Sequence, residues 1–135
     1  MKLNEDMKED ILKVKQDLID EMIEYMKYGG AVDENDPEYN PEFDAGYTQK
    51  HVDRCSEIID DFLASLEKTP EKAHQNEYIM DAVKKTILNL NELNEECDGN
   101  LILTGQREDL CKLIDLAASH DITYEWREWW GVVLF

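Results

Sequence analysis

Apolar residues recur at every third or fourth position along the first 28 residues, which is the spacing of one helix face. The residues on this face are Met7, Ile11, Val14, Leu18, Met22 and Tyr25. Most other positions hold Lys, Asp or Glu, so the opposite face is polar. Gly29 and Gly30 follow, and glycine adopts the left-handed conformation that ends many helices. The pattern predicts a first helix from Leu3 to Tyr28.

Three further segments have the same periodicity, at 48–67, 77–97 and 104–119. The links between them are short, which favours antiparallel neighbours. We therefore expect an all-α protein: a compact bundle of four main helices, with short helical turns and a short C-terminal helix at 124–130. The chain of 135 residues suits a single helical domain spanning 1–135. As an alternative for two apolar stretches, 100–104 and 132–135 could pair as a two-stranded ribbon.

The charge balance narrows the classes of partner. Acidic residues outnumber basic ones by 32 to 14, which gives a formal net charge of −18. Nucleic acids and anionic membrane surfaces require clustered Lys and Arg, so we expect neither as a partner. The excess of acids permits a basic partner protein, a cation, or solubility alone. The N-terminal ten residues have no apolar signal-peptide core, and no apolar run reaches the length of a membrane span, so we expect a cytoplasmic protein.

The most distinctive segment is the loop at 31–47, which holds six acids and no base. Asp36-Pro37 and Asn40-Pro41 each resemble a helix start, so we expect short turns between them and Gly46. Three aromatic residues are spaced through the loop: Tyr39, Phe43 and Tyr47. Two interpretations remain open. Either these rings clamp the loop onto the bundle, or together with Asp44 and His51 they line a pocket for a small polar or cationic ligand.

Metal and cofactor motifs are weak throughout the chain. Acids and Asn alternate from 36 to 44, but the positions that an EF-hand reserves for Gly and Glu hold other residues. His51 and Cys55 share a helix face, yet a zinc site needs three or four ligands. Phosphate-binding, dinucleotide-binding and serine-nucleophile motifs are absent from the sequence. We expect no metal, no cofactor and free cysteines in the core, and a non-enzymatic protein is the favoured interpretation.

Three polar or aromatic features outside the loop are candidates for specific contacts. Arg107 lies near a predicted helix start, where the helix dipole disfavours a cation, so we expect an acidic partner for it, with the loop at 33–44 as one supplier. Asn94 falls near the apolar face of the third helix and is expected to fix register through buried hydrogen bonds. Trp126, Arg127 and Trp129 have the composition of an interface hot spot, and form either a lid on the bundle or a partner surface.

Two stretches carry a resemblance to a known family. They are DPEYNPEFDAGYTQKHVD at 36–53, and LNELNEECDGNLILTGQREDL at 90–110 with TYEWREW at 123–129. Together they resemble a small bacterial family of uncharacterised proteins. The resemblance implies a bacterial cytosolic origin, and because the family has no established activity, it supplies no catalytic residues to carry over. We expect a protein-binding module of the immunity-protein or antitoxin type that binds a basic partner. The alternatives are a small-molecule or metal-binding protein, or an enzyme, with a pocket under 36–51, and a structural homodimer.

Overall fold

The computed structural model describes residues 5–68 and 75–118, and these form four α-helices joined by turns. Helix α1 is Glu5–Tyr28, α2 is Gln49–Glu67, α3 is Gln75–Glu96 and α4 is Thr104–Ala118. Strands are absent from the described part of the chain. The prediction of an all-α bundle of four main helices is confirmed, and the helix ends fall within two residues of the predicted ones wherever both are described.

Neighbouring helices run antiparallel, as the short connections predicted. Helix α1 packs mainly against α4 and α2, and α2 also packs along α3. Two ion pairs join α1 to α2: Lys8 Nζ lies 3.1 Å from Glu67, and Lys15 Nζ lies 2.6 Å from Asp60. Because the residue number rises along α1 as it falls along α2, the two helices are antiparallel. The hydroxyl of Tyr78 near the start of α3 donates to a backbone carbonyl near the end of α2 (2.9 Å), which gives the same direction reversal.

The core lies along the shared axis of the four helices and is built from the predicted apolar faces. Its largest fully buried side chains are Ile11, Leu18, Met22, Ile59, Leu66, Ile79, Ile87, Leu90, Leu101, Ile102, Leu110 and Leu113. Burying a side chain of this size stabilises the fold by about 1.5–3 kcal/mol. Helical periodicity identified ten of these twelve positions, because burial of one continuous face is what makes a helix of this length stable in water. The other two, Leu101 and Ile102, lie in the link between α3 and α4.

The junction between α3 and α4 is a tight turn held by one buried amide. The side-chain oxygen of Asn94 accepts a hydrogen bond from the backbone N–H of Ile102 at 2.9 Å, and Asn94 is only 5% exposed. Gly99 has φ +78°, so the chain reverses where a side chain would be strained. Residues 100–103 form this bend and not a strand of the ribbon that was the alternative for 100–104, and the apolar side chains at 101 and 102 are buried in the core.

Several sequence-based expectations fall on residues that the structure does not describe. The short C-terminal helix at 124–130, the ribbon partner at 132–135, and the candidate residues Trp126, Arg127 and Trp129 all lie outside the described ranges. Within those ranges, every helix is too short or too polar to cross a lipid bilayer.

Candidate binding surface

The acidic loop at 31–47 is attached to the end of α1 through the ring of Phe43. Gly29 ends the helix with φ +60°, and its backbone N–H donates to the carbonyl of Tyr25 at 2.9 Å. The Phe43 ring lies directly on Gly29, so a Cβ placed there would be 2.8 Å from two ring carbons. The same ring meets Tyr25 edge to face, with centroids 5.3 Å apart and an interplanar angle of 86°. Such an edge contact contributes about 0.5–1.5 kcal/mol beyond burial.

Tyr47 makes a second attachment, and it belongs to the core. Its side chain is 6% exposed, and its hydroxyl donates to the backbone carbonyl of Met22 on α1 at 2.7 Å. Burial raises the pKa of Tyr47 to about 12, with smaller contributions from nearby Tyr25 and Cys97. Between the two interpretations that the sequence left open for these rings, the structure places Phe43 and Tyr47 as clamps against α1.

The loop is also fixed where it enters α2. Gly46 has φ +85°, and a Cβ built there would lie 2.5 Å from the side-chain nitrogen of Asn100. Asn100 is held in turn by donating to the carbonyl of Cys97 at 2.8 Å. The loop therefore touches both α1 and the α3–α4 junction, and glycine at 46 is what permits the close approach.

Between these attachments the loop is shaped by its own side chains. In four short turns a side-chain oxygen accepts a hydrogen bond from the backbone N–H two residues later, at 2.8 to 3.0 Å. The acceptors are Asp33, Asp36, Asn40 and Asp44. The second oxygen of Asp36 accepts from the N–H of Val32 at 2.9 Å. The hydrogen bonds from Val32 and Glu38 lower the pKa of the Asp36 carboxyl, because they favour its charged form.

These turns divide the acids of the loop into two sets. The carboxylates of Asp33, Asp36 and Asp44 accept hydrogen bonds from backbone N–H groups, although Asp33 and Asp44 are themselves exposed. Glu34, Glu38 and Glu42 are also exposed, and their carboxylates take no part in these four turns. The alternation of acids that superficially suggested a calcium loop is thus a set of turn-forming acceptors interleaved with solvent-facing glutamates. Among the described residues, no group of three or more His, Cys, Asp or Glu side chains could hold a metal ion.

His51 and Cys55, the pair with metal-ligand spacing, have separate structural roles. The Nδ1 atom of His51 accepts the backbone N–H of Thr48 at 3.0 Å, so the ring caps the start of α2 as a glutamate does in a capping box. Cys55 is fully buried, and burial raises the pKa of its thiol to about 12. Cys97 is also buried with a raised pKa, and none of the three cysteines forms a disulfide. A buried thiol with a raised pKa is a poor nucleophile.

Arg107 lies in the first turns of α4, half-buried, and its backbone N–H donates to the carbonyl of Leu103 at 2.9 Å. An ion pair from Arg107 to the loop at 33–44 stays a prediction. The structure does bring together two acids that the sequence did not single out, Glu21 on α1 and Asp109 on α4. Burial, and then the interaction with Asp109, raise the pKa of Glu21.

A groove of about 260 Å³ lies at the other end of the α1–α2 pair, remote from the loop. Ile11, Leu12 and Leu63 form its apolar wall, and the Lys8–Glu67 ion pair stands at its edge. Leu12 is 55% exposed there. Periodicity alone did not indicate this groove, because it depends on how closely the two helices approach.

The acidic loop is therefore a folded surface: two aromatic clamps hold it, turn-forming acids shape it, and three glutamates project from it. It presents negative charge in an arrangement that these contacts hold in place. Comparison of this chain with protein-family models, with curated proteins and with solved structures finds no match.

Proposed function

We propose that this protein is a non-enzymatic binding module whose acidic loop binds a basic partner protein. The immunity-protein or antitoxin type, acting in the cytoplasm of a bacterium, is the concrete form of the proposal. The observation that carries it is that Glu34, Glu38 and Glu42 are exposed on a loop that Phe43, Gly46 and Tyr47 hold against the helices.

A pinned loop supports binding for a thermodynamic reason. Ordering a mobile segment on binding costs free energy, and a segment already held in one shape avoids that cost. Here Phe43 and Tyr47 hold the loop on α1, and the Asp36 carboxylate joins Val32 to Glu38 through two backbone hydrogen bonds. The charges are thus arranged before a partner arrives.

Electrostatics supplies the second argument. The whole chain carries a formal charge of −18, and the loop at 31–47 adds six acids without a single compensating base. A field of this sign raises the rate of encounter with a positively charged protein and disfavours acidic competitors. The exposed glutamates set the register of docking, since rim charges contribute more to orientation and association rate than to final affinity.

The test compares two triple variants that remove the same charge from different surfaces. The loop variant is Glu34→Gln, Glu38→Gln and Glu42→Gln. The control variant is Asp81→Asn, Glu92→Gln and Glu95→Gln, all exposed positions on α3. Each variant and the parent protein are immobilised, and proteins of the source cell, including the product of the adjacent gene, are captured at low salt and then purified for affinity measurement.

We expect a captured protein of basic isoelectric point that binds the loop variant about three- to a hundredfold more weakly, from roughly 0.2–1 kcal/mol for each exposed ion pair. The α3 variant should bind like the parent. Equal affinity of the two triple variants for the captured partner, or a partner of acidic isoelectric point, would contradict the proposal.

A further inference from the structure

Two further tyrosines meet at the base of the loop. Tyr28 is the last residue of α1, and Tyr39 lies in the loop opposite it, with ring centroids 6.1 Å apart and an interplanar angle of 59°. Both rings are half-buried, so each shows part of its surface to solvent, unlike Tyr47. We refer to Tyr28 and Tyr39 together as the tyrosine pair.

The tyrosine pair is held in place by backbone hydrogen bonds on both sides. The N–H of Tyr39 donates to the carbonyl of Asp36 at 2.9 Å, and the carbonyl of Tyr28 accepts from the N–H of Ala31 at 3.0 Å. The Asp36 carboxylate also accepts hydrogen bonds from the backbone N–H groups of Val32 and Glu38, which are close to the pair in sequence. Glu38 is exposed and directly precedes Tyr39 in sequence, so the turn that positions the backbone of Tyr39 also positions that of Glu38.

Val32 adds an exposed apolar side chain to this part of the loop. It is 82% exposed, more than any other large apolar side chain in the described residues, and it stands directly before Asp33 and Glu34 in sequence. This part of the loop therefore combines aromatic and aliphatic side chains with several carboxylates nearby in sequence. An apolar ligand gains nothing from the carboxylates, and a compact, strongly hydrated cation gains little from the rings.

We propose that the tyrosine pair is a platform for an arginine side chain of the basic partner, a statement that rests on the function proposed above. A guanidinium group is planar and weakly hydrated, so it stacks on an aromatic face and still donates its N–H groups to a carboxylate at the edge. A lysine ammonium makes the electrostatic contact but lacks the planar stacking surface. The surface thus selects arginine over lysine at one position of the partner.

The test uses two synthetic peptides of equal charge, in which three arginines or three lysines are separated by glycines. Binding is followed by NMR through the tyrosine ring resonances of the intact protein. The variants are Tyr28→Leu, Tyr39→Leu and Tyr39→Phe, with Tyr78→Leu as a control at a half-buried tyrosine on α3. Thermal melts establish that each variant is folded before titration.

We expect the arginine peptide to bind about two- to fivefold more tightly than the lysine peptide, the range of a cation–π contact at an exposed site. Tyr28→Leu and Tyr39→Leu should abolish that preference, whereas Tyr39→Phe and Tyr78→Leu should retain it, because the ring and its position carry the effect. Equal binding of the two peptides by the parent protein would overturn the assignment.

The same titrations separate this assignment from the broader proposal. If the leucine variants keep the arginine preference while the loop variant with three glutamines binds both peptides more weakly, the tyrosine platform is wrong and the acidic surface stands. If the loop variant also binds both peptides as the parent does, both proposals are wrong.

Discussion

Substitution of Gly29 by alanine is the sharpest test of how the loop is attached. The substitution has two separable costs. Alanine at φ +60° adopts the left-handed conformation at a cost of about 1–2 kcal/mol. In addition, the new Cβ would stand 2.8 Å from two carbons of the Phe43 ring and 2.9 Å from a third. Three close contacts with one ring force it to move, and overpacking of this kind costs about 1–3 kcal/mol.

Gly30→Ala is the matched control, because it has the conformational cost without the steric one. Its φ is +96°, and a Cβ at that position meets nothing within 4 Å. We expect Gly30→Ala to lower the free energy of unfolding by about 1–2 kcal/mol and Gly29→Ala to lower it by about 2–5 kcal/mol. Urea denaturation followed by far-ultraviolet circular dichroism measures both values.

A double-mutant cycle with Phe43→Ala isolates the contribution of the ring. In the Phe43→Ala background, Gly29→Ala should cost only the conformational 1–2 kcal/mol, which makes the coupling energy about 1–3 kcal/mol. If Gly29→Ala and Gly30→Ala are equally destabilising, or if the excess persists without the Phe43 ring, then Phe43 does not clamp the loop on Gly29.

Two further predictions concern buried polar groups. Asn94→Ala should lower the free energy of unfolding by about 1–3 kcal/mol in urea titrations, because it leaves the buried N–H of Ile102 without its acceptor; a change below 0.5 kcal/mol would show that the bond is dispensable. For Tyr47, the folded pKa of about 12 exceeds the ordinary value of 10.0, so between these values the unfolded chain releases the proton first and stability falls as pH rises. The stability contribution is complete below pH 10 and is lost by about pH 12 at roughly 1.4 kcal/mol per pH unit, whereas Tyr47→Phe should lack this part of the decline. Identical alkaline profiles for the two proteins would contradict the assignment.

Local patterns in the sequence were sufficient to predict the helices and the antiparallel arrangement of neighbouring helices. A helix buries one continuous face, and that face is visible as a spacing of three and four residues. Asn94 was also predictable, since a polar side chain on an apolar face requires a buried partner. The identity of that partner, the backbone of Ile102, depends on the turn at Gly99, and its geometry emerges only when the chain is folded.

The candidate surface was harder to predict because its features depend on contacts distant in sequence. The loop's composition located the surface, and Phe43 and Tyr47 were recognisable as candidate clamps. Composition could not predict which acids form the turns, since Asp36 and Glu38 are both acids and only the carboxylate of Asp36 accepts a backbone N–H there. Tyr28 escaped notice because it ends a helix whose other aromatic, Tyr25, belongs to the apolar face.

The salt dependence of partner binding tests the central claim most directly. The dissociation constant of the captured basic partner is measured from 50 to 500 mM salt for the parent protein, the loop variant with three glutamines and the α3 control variant. If the exposed glutamates of the loop bind the partner, the affinity of the parent and the α3 variant falls steeply with salt, and the loop variant shows a clearly flatter dependence. Equal salt dependence in all three proteins would contradict the claim that the loop is the binding surface.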